Sequence, residues 1–188
     1  MRESHRTVAA AQAARIVDSP VGPLFLAASD RGLTHVLFAS EMQRTPEGVA
    51  GSGEAARILD EAQRQLGEYF AGGRREFDLP LAPSGTEFQL ETWQALRNIP
   101  FGRTISYGEL ARNMGRPRAV RAVGAANGAN PISIIVPCHR VIGADGTLTG
   151  YGGGIETTRH LLTREGVRVL DDLAPRDLPF GPGENGGG

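Results

Sequence analysis

The stretch EAARILDEAQRQLGEYFAGG, residues 54–73, constrains the fold most. Ile58, Leu59, Ala62, Leu66, Tyr69 and Phe70 recur at helical spacing on one stripe, and Gly72-Gly73 supplies a stop. A helix with one apolar stripe must bury it against another element. The preceding residues, RIVDSPVGPLFLAASDRGLTHVLF, read as three short strands. Turn signals at Ser19-Pro20-Val21-Gly22 and Ser29-Asp30-Arg31-Gly32 separate them. EFDLPLAP reads as a further short strand leading to a linker with Pro83. Residues 14–82 are therefore expected to form a small α/β domain behind a mobile arm, residues 1–13. His35 sits in strand alternation and is expected to be structural.

After Pro83 the pattern changes to short helices. In SGTEFQLETWQALRNIP, both Ser84/Glu87 and Thr86/Gln89 have capping-box spacing. Leu90, Trp93, Leu96 and Ile99 follow at three-residue steps. Ser106 and Glu109 form another capping box, and Tyr107, Leu110, Ala111 and Met114 fill one face behind it. Gly115-Arg116-Pro117 then predicts a tight turn into RAVRAVGAANG, a helix of small residues. Two short helices across such a turn fit a helix-turn-helix, and also an ordinary helical hairpin. The small residues would let backbone approach a partner closely, or serve close packing inside the protein. Arg121 is the long side chain in the middle of that helix, and Arg116 and Arg118 at its start could hold phosphates.

IIVPCHRVIG, residues 134–143, holds Cys138, the one cysteine in the chain. Cys138 is either a reactive thiol or a small apolar filler at the end of a buried strand. One cysteine excludes an intramolecular disulfide and a multi-cysteine zinc site, and no metal or cofactor is expected. Asp145-Gly146 signals a hairpin, residues 150–154 a glycine-rich loop around Tyr151, and ETTRHLLTREG a last helix ending at Gly166. The second domain is expected over residues 83–170, with a compositionally disordered tail, 171–188. No segment approaches the ~20 apolar residues that span a bilayer, and no signal-peptide core stands at the N-terminus. The expectation is a cytoplasmic monomer of 188 residues.

Charge is unevenly distributed. Residues 1–84 carry nine arginines against eleven acidic residues, 85–140 seven against three, and 141–188 four against seven. The basic excess sits in the segment that ends at Cys138, which suggests an anionic partner.

NPISIIVPCHRVIG, LTGYGGG and LLTREG, preceded by FGRTISYGELA and RAVRAVGAANGANP, closely resemble the methylated-DNA-protein-cysteine methyltransferases, or 6-O-alkylguanine-DNA alkyltransferases. The resemblance is strong over residues 86–166 and looser over 15–81. It implies an α/β N-terminal unit with a ribonuclease-H-like layout and a mostly helical C-terminal DNA-binding unit of winged-helix type. It also implies DNA repair by direct damage reversal. A methyl or small alkyl group passes from 6-O-alkylguanine in double-stranded DNA to Cys138, and each protein acts once.

By the same resemblance, His139 activates Cys138 through a bridging water, Glu165 orients His139, and Asn130 orders the turn. Attack requires the thiolate, whereas a free thiol of pKa ~8.5 is mostly protonated at neutral pH, so a base is needed. The nucleotide must leave the stack. Arg121 is implied to fill its place, and Tyr107 to rotate it and then hydrogen-bond the guanine. Tyr151 and Gly152 would lie over the base, and the carbonyls of Cys138 and Val141 would meet its amino group. Thr158 stands where many members carry lysine. Two other readings compete with this one. One is a lesion-sensing DNA-binding protein without transfer, against which Cys138, His139, Asn130 and Glu165 together argue. The other is a cysteine hydrolase, which adjacent side chains on a strand would serve poorly.

Overall fold

The computed structural model describes residues 11–41, 49, 51–148 and 153–168. The expected tail, 171–188, and residues 1–10 of the expected arm lie outside the described residues, as do Tyr151 and Gly152. The end of that arm is fixed instead of mobile: Gln12 N–H donates to the Ala28 carbonyl (2.9 Å), and Ala13 is buried in the first strand.

Three antiparallel strands form in chain order: β1 (Ala13–Val17), β2 (Leu24–Ser29) and β3 (Gly32–Phe38). The turns fall where the sequence signals placed them. Central strand β2 is buried on both faces. Leu24, Leu26 and Ala28 join the main core, while Phe25 and Ala27 form a small cluster with Ala14 and Leu37. Helix α1 (Gly53–Ala71) lays Ile58, Leu59, Ala62, Leu66 and Tyr69 into the main core. It ends at Gly72, whose left-handed conformation lets its N–H reach the last carbonyls.

EFDLPLAP forms a single parallel bridge instead of a strand of its own. Leu33 N–H donates to the Pro80 carbonyl (2.8 Å), and Ala82 N–H to that of Leu33 (2.8 Å). Proline at 80 and 83 limits what this segment can donate to a ladder. Gly32 makes the approach possible, because a Cβ there would stand 2.7 Å from the Pro80 oxygen. A second bridge on the same strand joins Val36 to Ile132: Val36 N–H donates to Pro131 O (2.9 Å) and Ser133 N–H to Val36 O (3.0 Å). The edge of β3 thus anchors both the interdomain linker and the loop that leads to Cys138.

The second half packs α2 (Glu87–Arg97), α3 (Tyr107–Asn113), α4 (Val120–Gly128) and α5 (Gly154–Arg164). Of the two possible capping boxes on α2, Thr86/Gln89 forms; Ser106/Glu109 caps α3 as expected. Leu90 does not join Trp93, Leu96 and Ile99 in the core and is exposed. Three-residue steps rotate about 60° backward each time, so the first residue of such a run drifts off the buried face. Trp93 Nε1–H donates to the Ala126 carbonyl (2.9 Å) and ties α2 to α4. A two-residue parallel pair, β4 (Ile105–Ser106) with β5 (Val141–Ile142), joins the start of α3 to the strand leaving Cys138. Around Asp145-Gly146 the chain makes a tight turn closed by Gly143 N–H to Thr147 O (2.8 Å), while β5 pairs with β4. Among the described residues no helix is long and apolar enough to cross a membrane.

Candidate active site

Residues 134–140 do not make the strand that Ile134-Ile135-Val136 suggested. The backbone of Ile134 is left-handed (φ 72°), and Cys138–Arg140 form one turn of 3-10 helix behind Pro137. A β-branched residue at positive φ is strained. Asn130 holds this loop. Its Oδ1 accepts from Ile132 N–H (3.0 Å), and its Nδ2 donates to the Val136 carbonyl (2.8 Å) and to Cys138 Sγ (3.0 Å). Asn127 of α4 donates to the Cys138 carbonyl at 3.5 Å, and Val141 N–H reaches the same oxygen. The thiol is buried, 3 % exposed, yet it receives a directed polar contact, which a filler cysteine does not need.

His139 turns to Glu165, at the C-terminal end of α5. Nε2 and Oε1 lie 2.9 Å apart, with both side chains fully buried. A carboxylate only accepts, so the hydrogen-bond partners assign the proton to Nε2 and the lone pair to Nδ1. Nδ1 is buried and makes no hydrogen bond among the described residues. Burial favours the neutral imidazole and lowers the His139 pKa; Glu165 opposes this, and the nearby Arg140 charge adds to it. His139 is thus a neutral base whose accepting nitrogen faces away from Glu165.

Glu165 is held more firmly than the sequence suggested. Oε1 accepts from His139 Nε2, Arg140 Nη2 (3.0 Å) and Tyr69 Oη (2.9 Å). Oε2 accepts from Arg140 Nε (2.8 Å) and Gly102 N–H (3.2 Å). Burial alone would raise this carboxyl. The hydrogen bonds from His139 and Arg140, with the Arg140 charge, outweigh it and bring the pKa down to about 2. Arg140 also donates to the Ile99 carbonyl (2.6 Å). Burial raises the Tyr69 pKa, and the Glu165 charge adds to the effect, so Tyr69 is a neutral donor.

The sequence marks Tyr69 only as a core-stripe residue and gives Arg140 and Gly102 no role in the site. Arg140 stands in the same motif as Cys138. A tyrosine on a core stripe is itself a signal, since a buried phenol needs a partner.

The remaining expected residues surround this centre. Tyr107 opens α3, half-buried, and its ring lies against Gly124: a Cβ there would be 3.7 Å from Cδ1. Val141 is buried and pairs with Ile105. Arg121, Ala122, Ala125 and Gly128 are exposed on α4, whereas Val123, Ala126 and Asn127 pack inward. The small residues therefore serve both uses left open by the sequence. Arg116 and Arg118 precede α4 instead of starting it, in the connection from α3. Arg118 is exposed, while Arg116 pairs with Glu91 (2.7 Å) over the Phe88 ring. Thr158 is buried, and its hydroxyl donates to the Gly154 carbonyl (3.2 Å).

Most of the chain has known counterparts. Residues 14–83 match the ribonuclease-like domain of 6-O-methylguanine DNA methyltransferase, and residues 87–167 match its DNA binding domain. A methylated-DNA--protein-cysteine methyltransferase of Methanosarcina acetivorans is 51 % identical over 153 residues, 80 % of this chain and 96 % of that protein. The protein of the same name from Mycobacterium tuberculosis (strain H37Rv) is 50 % identical over 165 residues, 85 % of this chain and 95 % of its own length. The crystal structure of Mycobacterium tuberculosis OGT in complex with DNA superposes with a TM-score of 0.72 at 51 % identity, covering 81 % of this chain and 91 % of that one.

Proposed function

The chain belongs to the 6-O-methylguanine DNA methyltransferase family, and on that premise we propose how its residues divide the work. It is a methylated-DNA-protein-cysteine methyltransferase that repairs alkylated double-stranded DNA by moving the alkyl group to its own cysteine. Its two parts are the α/β ribonuclease-like unit, residues 14–82, and the helical DNA-binding unit, residues 83–170. We also propose that it acts in the cytoplasm.

The observation that carries the assignment of roles is the buried His139–Glu165 pair beside a buried thiol already contacted by Asn130. Nδ1 of His139 takes the Cys138 proton through a water, while Glu165 stabilises the imidazolium that forms. Asn130 Nδ2, 3.0 Å from Sγ, stabilises the charge that develops there. The thiolate attacks the alkyl carbon. The S–C bond forms as the C–O bond breaks, and its electron pair stays on oxygen 6. The guanine anion takes up a proton equivalent to the one lost by Cys138 and remains in the DNA as guanine. Nothing removes the thioether, so each protein reacts once.

The duplex docks on α4. Its exposed Ala122, Ala125 and Gly128 allow close approach, and Arg121 occupies the gap left by the flipped nucleotide. Arg118 and Arg116 contact phosphates, Arg116 by exchanging Glu91 for the DNA. Tyr107 donates to the guanine as negative charge builds on it. The Val141 and Cys138 carbonyls accept from its amino group, and the family resemblance assigns Tyr151 and Gly152 to base binding.

Incubating the protein with excess duplex carrying a radiolabelled methyl on guanine oxygen 6 tests this. Label should saturate at one methyl per protein and be absent from Cys138→Ala. Binding that prefers the lesion without any transfer would establish the sensor reading instead.

A further inference from the structure

Tyr69 lies on α1, in the N-terminal unit, and is 96 residues from Glu165 in sequence, yet its phenol donates to Glu165 Oε1 at 2.9 Å. Two neighbours fix it there. Arg164 stacks on its ring at 5.3 Å and donates to its carbonyl, and Phe101 packs edge-on at 6.3 Å. Adjacent residues at the end of α5 thus grip the backbone, ring and hydroxyl of one N-terminal side chain. The oxygen it meets is the one that faces His139.

We propose that Tyr69 is a positioning residue of the alkyl transfer: its phenol fixes Oε1 of Glu165 against His139 and withholds part of the carboxylate's charge from the imidazole. This rests on the transfer mechanism given above. A carboxylate oxygen that accepts three donors shares its charge among them. Removing the phenolic donor leaves more of that charge on His139, which then holds its proton more strongly. The other charged or titratable groups around the pair are Cys138 and Arg140 on the same turn, Arg164 on α5, and Arg75, which stacks on Phe101. The N-terminal unit therefore tunes the base as well as supporting the fold.

The test is single-turnover methyl transfer against pH, with wild type, Tyr69→Phe, and protein carrying 3-fluorotyrosine at position 69. The acid limb of the rate profile should move up by about half to one pH unit in Tyr69→Phe. The more acidic fluorinated phenol is a stronger donor in the same packing, so it should move the limb down. Should Tyr69→Phe fail to fold, the fluorinated protein decides alone. Profiles that superimpose on wild type, with rates scaled equally at every pH, would overturn the proposal and leave Tyr69 a packing residue. The ring-nitrogen chemical shifts of His139 give a second readout independent of transfer. They should change in both altered proteins even if the wild type moves no methyl, an outcome that would sink the transfer mechanism separately; unchanged shifts would overturn the coupling.

Discussion

Replacing Glu165 with glutamine tests how the centre is held. Five donors converge on this carboxylate from His139, Arg140, Tyr69 and Gly102. An amide has one oxygen, and its NH2 would confront donors, so the Arg140 guanidinium, 8 % exposed, loses its counter-charge. Breaking a buried pair from one side costs about 3–5 kcal/mol. Titration gives a second figure. The Glu165 pKa drops from 4.5 to about 2 on folding. At 1.36 kcal/mol per unit that is about 3 kcal/mol at neutral pH.

The folded pKa is depressed, so this stabilisation is complete above the unfolded value and is lost as pH falls through the folded one. The two figures agree. Urea unfolding of both proteins should show a difference of about 3 kcal/mol at pH 7, narrowing to about 2 kcal/mol near pH 3.5. A difference below about 1 kcal/mol at pH 7, within reach of an ordinary surface substitution, would mean that Glu165 is not the counter-charge of a buried pair. So would a gap that does not close in acid.

Three other substitutions separate the parts of the account. Gly102→Ala places a Cβ 2.9 Å from the Glu165 carbonyl at a φ of 74°, so it should cost about 2 kcal/mol in urea unfolding and slow methyl transfer; an unchanged protein would argue against the tight seat of Glu165. Ile134→Gly removes backbone strain of about 1–2 kcal/mol but empties a fully buried side-chain site worth about 3 kcal/mol or more, so calorimetry should show net destabilisation. Arg121→Ala alters an exposed side chain and should leave stability within about 0.5 kcal/mol while slowing transfer from duplex DNA; equal slowing with the free methylated base would contradict its role in the stack.

Local chemistry was legible in the sequence wherever the signal was local. The caps at Thr86 and Ser106, the stop at Gly72 and the turns around β2 form where residue type and spacing place them. Cys138, His139, Asn130 and Glu165 were identified through resemblance, and the fold brings them together in two linked pairs. The loop around Ile134 was not legible as a loop. Its apolar residues read as a strand, but Asn130 supplies three hydrogen bonds and β3 a bridge that outweigh strand propensity. The side-chain cage around Glu165 was also hidden. Tyr69 and Gly102 reach it across 96 and 63 residues, and no local pattern encodes such a meeting. Leu90 shows the reverse error, a periodic residue on the wrong side of its helix.

Cys138 is proposed as the acceptor of a one-time alkyl transfer. Peptide mass spectrometry after incubation with a duplex containing one 6-O-methylguanine tests it most directly. A single methyl is expected on the peptide containing Cys138, with no modification elsewhere and none in Cys138→Ala. A methyl on any other residue, or an unmodified Cys138 after the lesion has been restored to guanine, would contradict it.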